Sequence, residues 1–287
     1  RGDIVDAGTV GPLADGVDVI VNFAAESHVD RSLEEPGQFI RTDVYGTYVL
    51  LEAARRAGHQ RFLQVSTDEV YGDVDAGRSC EADPLRPRSP YSATKAAAEM
   101  LVWAYRASYG LPAIITRGSN TYGQYQYPEK IVPLFITNAL DDLPLPIYGD
   151  GAAVRDYLHV EDHCAGIDVA LRRGTPGMDY NVGQGGDEVT GVQVADAILK
   201  HTGKPESLKQ FVRDRPGHDR RYALDASRLR GLGWAPQYDF TVGIAATVAW
   251  YRDTQDWWRP LKSGEFWDFY KRNYKVAAPS AFPAPRH

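Results

Sequence analysis

Cysteine and long apolar runs are both scarce in this sequence. Only two of its 287 residues are cysteine, Cys80 and Cys164, and they lie far apart. That number and spacing match neither a zinc motif nor a disulfide framework, so we expect no metal site and a reducing, cytoplasmic environment. No apolar run is long enough to cross a bilayer and no signal-peptide pattern is visible, so no membrane partner is expected.

Basic residues are also fewer than acidic residues in this sequence. The chain has 32 lysines and arginines against 38 aspartates and glutamates, a net charge of -6, and its basic residues form no cluster. We therefore expect no nucleic-acid partner, although single arginines and helix N-termini can still bind phosphate. The length and the 43% of hydrophobic residues suffice for a substantial core in one large or two smaller domains.

Strand-like apolar segments alternate with amphipathic helical segments in the first part of the chain. Strands are predicted at 18–25, 61–66 and 111–117, and helices at 36–57 and 91–109. This alternation predicts a parallel sheet with crossover helices. Gly46, inside the first helix, indicates tight packing against another helix or the sheet, and Gly58 is typical of a helix C-terminus. The polar stretch 26–32 is predicted to be irregular.

Shorter elements follow Gly118. We predict helices at 131–139, 159–172, 192–202, 225–231 and 241–254, and extended segments at 145–148, 180–182, 208–212 and 221–223. The aromatic segment 257–274 is expected to pack back onto the body of the protein. The Pro- and Ala-rich end from Ala277 is expected to be disordered or loosely attached.

A polar triplet follows one of the buried strands directly, within V-S-T-D-E-V-Y-G (65–72). Thr67, Asp68 and Glu69 would lie at the carboxyl end of the strand, where ligands bind in open α/β sheets. Adjacent carboxylates on a non-helical segment point to different sides, so one can be a protonated acid and the other an ionised base. On this stretch alone, a solvated turn near a helix N-cap explains the residues equally well.

Tyr91 and Lys95 are four residues apart at the start of a predicted helix and therefore share one face. A nearby ammonium group favours the phenolate and lowers the tyrosine pKa from its usual value near ~10. The pair could thus act as a base that deprotonates a hydroxyl group. Taken alone, it also fits a common pair at the protein surface.

Together these motifs resemble the extended short-chain dehydrogenase/reductases, and specifically the nucleotide-sugar 4,6-dehydratases. S-T-D-E-V-Y-G is followed by Y-S-A-T-K (91–95) on a βα frame. Other segments similar to the family fall in order along almost the whole chain: R-G-D-I (1–4), N-F-A-A-E-S-H-V-D-R-S (22–32), S-N-T-Y-G (119–123), P-E-K-I-V-P-L (128–134), Y-G-D-G (148–151), V-R-D-Y (154–157), V-E-D-H (160–163), D-R-P-G-H-D-R-R-Y-A-L-D (214–225) and W-W-R-P-L (257–261).

The resemblance implies a Rossmann-type doubly wound parallel sheet with a smaller α/β substrate-binding domain. The NAD-binding domain would span 1–118 with returning segments at about 156–184, and the nucleotide-sugar-binding domain would span 119–155 and 185–287. The family begins with a strand and a G-x-x-G-x-x-G turn that the sequence lacks, so we expect roughly fifty further residues in the natural protein and no NAD binding without them. A homodimer that pairs the two long helices is also implied.

The implied activity is NAD-dependent loss of water from a nucleotide-diphosphate hexose, with dTDP-glucose as the expected substrate. Tyr91 would take the 4-hydroxyl proton while C4 gives a hydride to NAD, and Lys95 would hold the ribose. Glu69 would remove the C5 proton and Asp68 would protonate the leaving 6-hydroxyl. Thr67 would hydrogen-bond to the 4-oxygen, and the hydride would return to C6. Such an elimination needs two carboxyl groups in opposite protonation states.

Other positions match the binding residues of the family. The implied cofactor contacts, besides Tyr91 and Lys95, are Asp3, Ile4, Ala24, Ala25, Glu26 and Thr42. The implied substrate contacts are Ser27, Asn120, Lys130, Pro133, Leu134, Pro146, Tyr148, Arg155, Arg215 and His218. Arginine suits a diphosphate because it can donate two parallel hydrogen bonds. Plain ion pairs within Glu26, Asp30 and Arg31, or between Arg155 and Asp156, are the structural alternative.

Several positions depart from the family pattern. Asp43, Thr121 and Gly191 stand where asparagine is frequent, and Tyr157 and His159 replace a usual tryptophan and tyrosine. The nucleobase, dTDP or UDP, therefore stays open. Two other functions also stay open: an epimerase or decarboxylase of the same fold, and a non-catalytic regulator that binds a nucleotide sugar or dinucleotide. Asp68 argues against the first, because related epimerases usually lack the Asp-Glu pair and the decarboxylases usually have serine before the glutamate.

Overall fold

The computed structural model describes residues 1–186 and 188–274. The prediction for the end from Ala277 lies outside these residues. The described strands are β1 (Val19–Asn22), β2 (Arg61–Thr67), β3 (Ala113–Gly118), β4 (Asn120–Tyr122), β5 (Leu145–Tyr148), β6 (Val154–His159), β7 (Asp179–Val182), β8 (Glu188–Thr190) and β9 (Lys209–Val212).

Each predicted helical segment contains an α-helix, and the structure adds others. The described α-helices are α1 (Ala7–Ala14), α2 (Val29–Glu34), α3 (Pro36–Phe39), α4 (Thr47–Ala57), α5 (Pro90–Tyr109), α6 (Ile131–Leu140), α7 (Val160–Arg173), α8 (Gly191–Thr202), α9 (Ser227–Arg230), α10 (Phe240–Asp253), α11 (Gln255–Trp258) and α12 (Glu265–Tyr274). None of the helices in the described ranges is long and apolar enough to cross a membrane.

Strands β1, β2, β3 and β7 form a parallel sheet in that order, which confirms the predicted α/β class. Thr67 pairs with Gly118, so the carboxyl ends of β2 and β3 lie at the same edge. Successive residues of β2 point to opposite faces. Phe62 packs with α1, α4 and α5 on one face, and Leu63 packs with α7 and α9 on the other. The crossover helices therefore cover both faces of the sheet.

A third core lies beyond the carboxyl edge of the sheet, built from α6, α8, α10 and the C-terminal helices. Its largest fully buried side chains include Trp258 and Tyr251. Phe266 and Tyr270 of α12 are also buried there. The expectation that the aromatic segment 257–274 packs back onto the body is thus confirmed.

The predicted helix 36–57 is interrupted by a π-helical segment, Ile40–Gly46. A Cβ atom on Gly46 would lie 2.4 Å from Cδ1 of Ile4, so the tight packing expected at Gly46 is present, but against the N-terminal segment and not against a helix or strand. Gly58 ends the helix with a φ of 68°, as predicted.

Other local predictions were wrong. Part of the stretch 26–32 is helical, because α2 begins at Val29. Sequence periodicity missed it because α2 buries Asp30 and Ser32 beside a single apolar residue. The segment Asp68–Tyr71 is a 3-10 helix, whereas a non-helical segment was expected for Asp68 and Glu69. Residues 221–223 form only an isolated bridge, between Arg221 and Val154.

Candidate active site

A cavity of about 320 Å³ opens at the carboxyl ends of β2 and β3, between the sheet and the third core. Most of the predicted catalytic and substrate residues line it: Ser27, Thr67, Asp68, Glu69, Tyr91, Asn120, Lys130, Leu134, Pro146, Tyr148, Arg155, Arg215 and His218. Pro133 and Lys95 do not line this cavity. The fold therefore brings together residues that are almost 200 positions apart in the sequence.

The polar triplet forms the start of a short helix. Thr67 ends β2, accepts a hydrogen bond from the Glu69 backbone N–H at 3.3 Å and donates one to Oδ1 of Asp68 at 3.2 Å. Only 2% of the Asp68 surface is exposed, and its Oδ2 has no hydrogen-bond partner among the described residues. The alternative of a solvated turn is thus wrong, since Thr67 and Asp68 are buried and Glu69 is partly buried at the cavity.

Asp68 and Glu69 lie in different electrostatic surroundings. Burial raises the pKa of Asp68 well above its usual value, and the neighbouring Glu69 carboxylate raises it further. Burial also raises the pKa of Glu69, but Arg215, Lys130 and Arg155 oppose that effect. A carboxyl group that faces several cations ionises more readily than one that faces another carboxylate. This difference suits Asp68 as a proton donor and Glu69 as a base.

Tyr91 and Lys95 share a buried face of α5. Lys95 is 5% exposed and donates from Nζ to the Val65 carbonyl oxygen at 2.8 Å, so the pair is not a surface pair. The pKa of Tyr91 is raised well above its usual value, first by burial and then by Glu69, while a hydrogen bond with Thr67 lowers it. The lowered Tyr91 pKa expected from the sequence is therefore wrong for the protein alone. Burial lowers the pKa of Lys95, and the carboxylates of Asp43 and then Glu99 oppose that effect.

The predicted substrate-binding arginines, Arg155 and Arg215, also line the cavity. Arg155 donates from Nη2 to the Asp219 carbonyl oxygen at 2.8 Å, and its guanidinium lies 4.3 Å from the Tyr222 ring centroid. Arg215 lies 3.5 Å from Oδ1 of Asp30. Among the described contacts, Arg155 does not pair with Asp156.

Among the described contacts, Glu26, Asp30 and Arg31 form no ion pair with one another, although Arg31 and Asp30 each pair with other residues. Arg31 pairs with Glu129 and Glu265, while Asp30 accepts hydrogen bonds from Tyr148 at 2.8 Å and from Asn273 of α12 at 3.3 Å. Asp30 is 5% exposed and lines the cavity. Sequence reasoning had treated Asp30 only as a surface charge. The partners of Asp30 come from distant segments, so the local sequence pattern does not indicate that Asp30 is buried.

Two histidines in the cavity wall were also missed, His28 and His163. His163 Nδ1 lies 2.6 Å from the Thr121 hydroxyl, and burial lowers its pKa to about 4. A Cβ atom on Gly118 would lie 2.4 Å from the His163 ring, so the glycine leaves space for it. The V-E-D-H segment had marked the position of His163 without giving it a role. His28 is held neutral by burial, which lowers its pKa to about 4.

Three of the predicted cofactor residues, Ala24, Ala25 and Glu26, follow the carboxyl end of β1. Ala25 and Glu26 line a second cavity of about 310 Å³ that shares Ser27 and Lys130 with the first. The Glu26 N–H donates to Oδ1 of Asp43 at 2.8 Å, which fixes the loop against the π-helical segment. The remaining predicted contacts lie outside both cavities: Asp3, Ile4, Ala24 and Thr42.

Comparison with known proteins gives close relatives. The chain is 51% identical to a dTDP-glucose 4,6-dehydratase of Streptomyces antibioticus over 263 residues, which cover 91% of this chain and 78% of the relative. It is 42% identical over 280 residues to a protein of the same name from Escherichia coli, with coverage of 87% and 77%.

Solved structures agree with these relatives. A dTDP-glucose 4,6-dehydratase of Streptomyces venezuelae with NAD bound superposes with a TM-score of 0.89 at 50% identity, covering 91% of this chain and 81% of that one. A UDP-glucose 4-epimerase of Thermus thermophilus superposes with a TM-score of 0.84 at 34% identity, covering 88% and 84%. The family model described as GDP-mannose 4,6 dehydratase matches residues 1–247, and the chain belongs to this family of nucleotide-sugar-modifying short-chain dehydrogenase/reductases.

Proposed function

We propose that this protein removes water from dTDP-glucose in an NAD-dependent reaction that yields dTDP-4-keto-6-deoxyglucose. The observation that carries the proposal is the pair of adjacent carboxyl groups, Asp68 and Glu69, held beside Tyr91 with different electrostatic surroundings. Oxidation followed by elimination needs a base for the hydroxyl group, which Tyr91 can supply, and then an acid and a second base, which Asp68 and Glu69 can supply. Relatives about half identical to this chain carry the name of that activity.

The catalytic groups act in sequence at one sugar ring. Tyr91 accepts the 4-hydroxyl proton, and Thr67, which hydrogen-bonds to Tyr91, orients the 4-oxygen. The 4-keto group that results makes the C5 proton acidic. Glu69 removes this proton, and Asp68 donates its proton to the departing 6-hydroxyl, so that water leaves. Lys95, fixed to the Val65 carbonyl, holds the position of the Tyr91 helix.

Polar atoms near the strand ends that find no partner in the described part of the chain support a dinucleotide site. Asn120 Oδ1, Ser119 Oγ and His163 Nε2 lie at the strand ends and have no hydrogen-bond partner among the described residues, so polar atoms are available for an amide-bearing ring. When bound, NAD would accept the hydride from C4 and return it to C6, and its positive charge would favour the Tyr91 phenolate. We assign its contacts to Lys95 and Tyr91 and to Asp3, Ile4, Ala24, Ala25, Glu26 and Thr42.

The substrate's diphosphate fits the cationic end of the cavity. Arg155, Arg215 and Lys130 all act on Glu69 electrostatically and therefore lie near the same volume. Arginine side chains can bind phosphate oxygens with two hydrogen bonds each. The nucleotide-sugar contacts that we propose are Ser27, Asn120, Lys130, Pro133, Leu134, Pro146, Tyr148, Arg155, Arg215 and His218.

We also propose the domain division inferred from the sequence. The parallel sheet with its two flanking cores supports an NAD-binding domain at 1–118 with returning segments at about 156–184. The separate core built on α6, α8, α10 and α12 supports a nucleotide-sugar-binding domain at 119–155 and 185–287.

A homodimer and a cytoplasmic location complete the proposal. Tyr48 of α4 and Met100 and Tyr109 of α5 are 40%, 55% and 58% exposed, which leaves apolar surface on the two helices. Large exposed apolar surface is typical of protein interfaces. Light scattering should give twice the chain mass, and Met100→Glu should lower it. The lack of a paired set of cysteines supports a reducing compartment.

The decisive experiment incubates the intact natural protein with NAD and dTDP-glucose and follows the product by mass spectrometry. We expect a product lighter by one water, with no net accumulation of NADH because the hydride returns to C6. UDP-glucose and GDP-mannose serve as competing substrates that test the nucleobase. A product of unchanged mass would contradict the proposal and favour an epimerase, an activity carried by a relative of similar structure. Binding without turnover would favour a regulator.

A further inference from the structure

Tyr71 ends the same 3-10 helix that carries Asp68 and Glu69. It is 5% exposed, and its hydroxyl accepts a hydrogen bond from Nη1 of Arg117 at 2.7 Å and donates one to Oδ1 of Asn181 at 2.8 Å. Burial raises the pKa of Tyr71, so the phenol keeps the proton that it donates. The hydroxyl is thus held from β3 and from β7 at once.

Arg117 continues this network to the helix that carries the other half of the site. Its side chain is fully buried, and its Nε and Nη2 donate to Oε2 of Glu99 at 3.0 and 2.7 Å. Nη2 also lies 3.2 Å from Oδ2 of Asp179. Glu99 is 0% exposed and lies on α5, four residues after Lys95 and eight after Tyr91, so all three side chains share one helix face.

The network spans the two segments that supply the catalytic groups. One segment is the 3-10 helix after β2, and the other is the first half of α5. A four-residue helix contains little internal hydrogen bonding, so contacts at its far end decide its orientation. The carbonyl of Val70 also accepts a hydrogen bond from the Arg86 N–H at 2.9 Å, but this bond joins the helix to the following loop and not to α5.

We propose that Tyr71 is a positioning residue for the elimination step. Through Arg117 and Glu99, it sets the position of the Asp68 and Glu69 carboxyl groups relative to the sugar that Tyr91 binds. Oxidation at C4 needs Tyr91 and depends little on where the two carboxyl groups lie. Proton removal at C5 and protonation of the 6-oxygen both depend on the position of these groups relative to the sugar. The inference deepens the proposed dehydration and rests on it.

Tyr71→Phe is the variant that tests this role. It keeps the ring, including its stacking 5.0 Å from the Arg117 guanidinium, and removes only the hydroxyl. Changing Arg117 or Glu99 instead would leave an unpaired buried charge and endanger folding. In single turnovers of the intact natural protein with NAD and dTDP-glucose, absorbance reports bound NADH and quenched samples report water loss by mass.

We expect C4 oxidation by Tyr71→Phe to stay within about twofold of the parent rate, since Tyr91 and Thr67 are untouched. Water loss should slow roughly 10- to 100-fold, because a misplacement of about 1 Å can cost about 100-fold in rate. Bound NADH should therefore accumulate transiently in the variant and not in the parent. Equal slowing of both steps, or no slowing of either, would overturn the inference.

Tyr180→Phe provides the matched control. Tyr180 is 2% exposed and lies on β7, and its hydroxyl accepts a hydrogen bond from the Thr175 N–H at 2.9 Å, away from the cavity. This variant also loses one buried hydroxyl, and both of its rates should match the parent's.

If Tyr71→Phe fails to fold, Asn181→Ala removes the acceptor of the Tyr71 proton and leaves the Arg117 hydrogen bond in place. It also removes the hydrogen bonds that Asn181 Nδ2 donates to the Ser79 and Asp225 carbonyl oxygens. The same selective slowing of water loss is then expected, and equal slowing of both steps would again overturn the inference. A parent protein that forms no dehydrated product overturns both the proposed function and the inference. An active parent with an unchanged Tyr71→Phe overturns the inference alone.

Discussion

The Asp68 and Glu69 carboxyl groups are neighbours in the sequence, yet their protonation is set by different partners. The strongest charge acting on Asp68 is the Glu69 carboxylate itself, whereas the strongest charges acting on Glu69 are Arg215, Lys130 and Arg155. The Glu69 carboxylate raises the pKa of Asp68, so Asp68 stays protonated, and the three cations lower the pKa of Glu69, so Glu69 ionises more readily. The acid and the base of an elimination can therefore come from consecutive residues.

Replacing Asp68 by Asn should separate oxidation from elimination. The variant keeps the size of the side chain but cannot protonate the leaving 6-hydroxyl, and loss of a general acid costs roughly 10²- to 10⁴-fold. We expect C4 oxidation to persist and water loss to slow by that factor, measured as bound NADH and product mass. Asp75→Asn, in the exposed loop that follows, should behave as the parent. Equal slowing of both steps would show that the role given to Asp68 is wrong.

Lys130→Met should move the acid limb of the pH–rate profile. Glu69 must be ionised to act as a base, so activity rises with pH through its pKa. Burial raises the pKa of Glu69 and the Lys130 ammonium lowers it. Removal of the ammonium should therefore raise the pKa of Glu69. We therefore expect the acid limb of kcat to shift to higher pH. Lys204→Met, which breaks only a surface pair with Asp142, should leave the profile in place, and an unchanged limb in Lys130→Met would contradict the prediction.

Asp43→Asn should change how stability depends on pH. Burial raises the pKa of Asp43 from 3.8 to about 6, so the folded protein binds the proton more tightly than the unfolded chain. Stability is then lost as pH rises from about 4 to about 6, by about 3 kcal/mol for this group.

The variant should lack this loss, because asparagine does not titrate. The free energy of unfolding can be measured with urea at pH 4 and at pH 7. We expect it to fall more in the parent than in Asp43→Asn between these two pH values. Asp75→Asn should track the parent. An identical pH dependence of parent and Asp43→Asn would mean that Asp43 titrates normally.

Gly46→Ala should destabilise the protein through Ile4. The added Cβ would overlap Cδ1 and Cγ1 of Ile4, at 2.4 and 2.6 Å, and overpacking of this kind costs about 1–3 kcal/mol. Thermal unfolding should show the loss, and the double variant with Ile4→Ala should recover most of it relative to Ile4→Ala alone. Gly37→Ala is the control, because a Cβ there meets nothing within 4 Å. Additive effects of Gly46→Ala and Ile4→Ala would contradict the proposed contact.

Much of the fold could be predicted from local patterns. The apolar run before Thr67, the four-residue spacing of Tyr91 and Lys95 and the glycine at position 58 all lie within segments short enough for periodicity to identify. The helix that begins at Val29 was not predicted because its buried side chains include the polar residues Asp30 and Ser32. Asp30 finds its partner Tyr148 far away in the sequence. A polar residue that is satisfied only by tertiary contacts reads locally as a surface residue.

The sequence by itself determined the parallel α/β frame, the order of the motifs and the set of residues at the strand ends, because strand and helix periodicities are local properties of the chain. The tertiary structure alone decided the protonation of that set. Asp68 and Glu69 differ through cations that lie between 61 and 146 positions away, and burial reversed the expected direction of the Tyr91 pKa. Tyr71 meets its hydrogen-bond partners Arg117 and Asn181 only in the folded protein, because they lie 46 and 110 residues later in the sequence. Electric fields and buried hydrogen bonds depend on distance in space, which local sequence patterns do not encode.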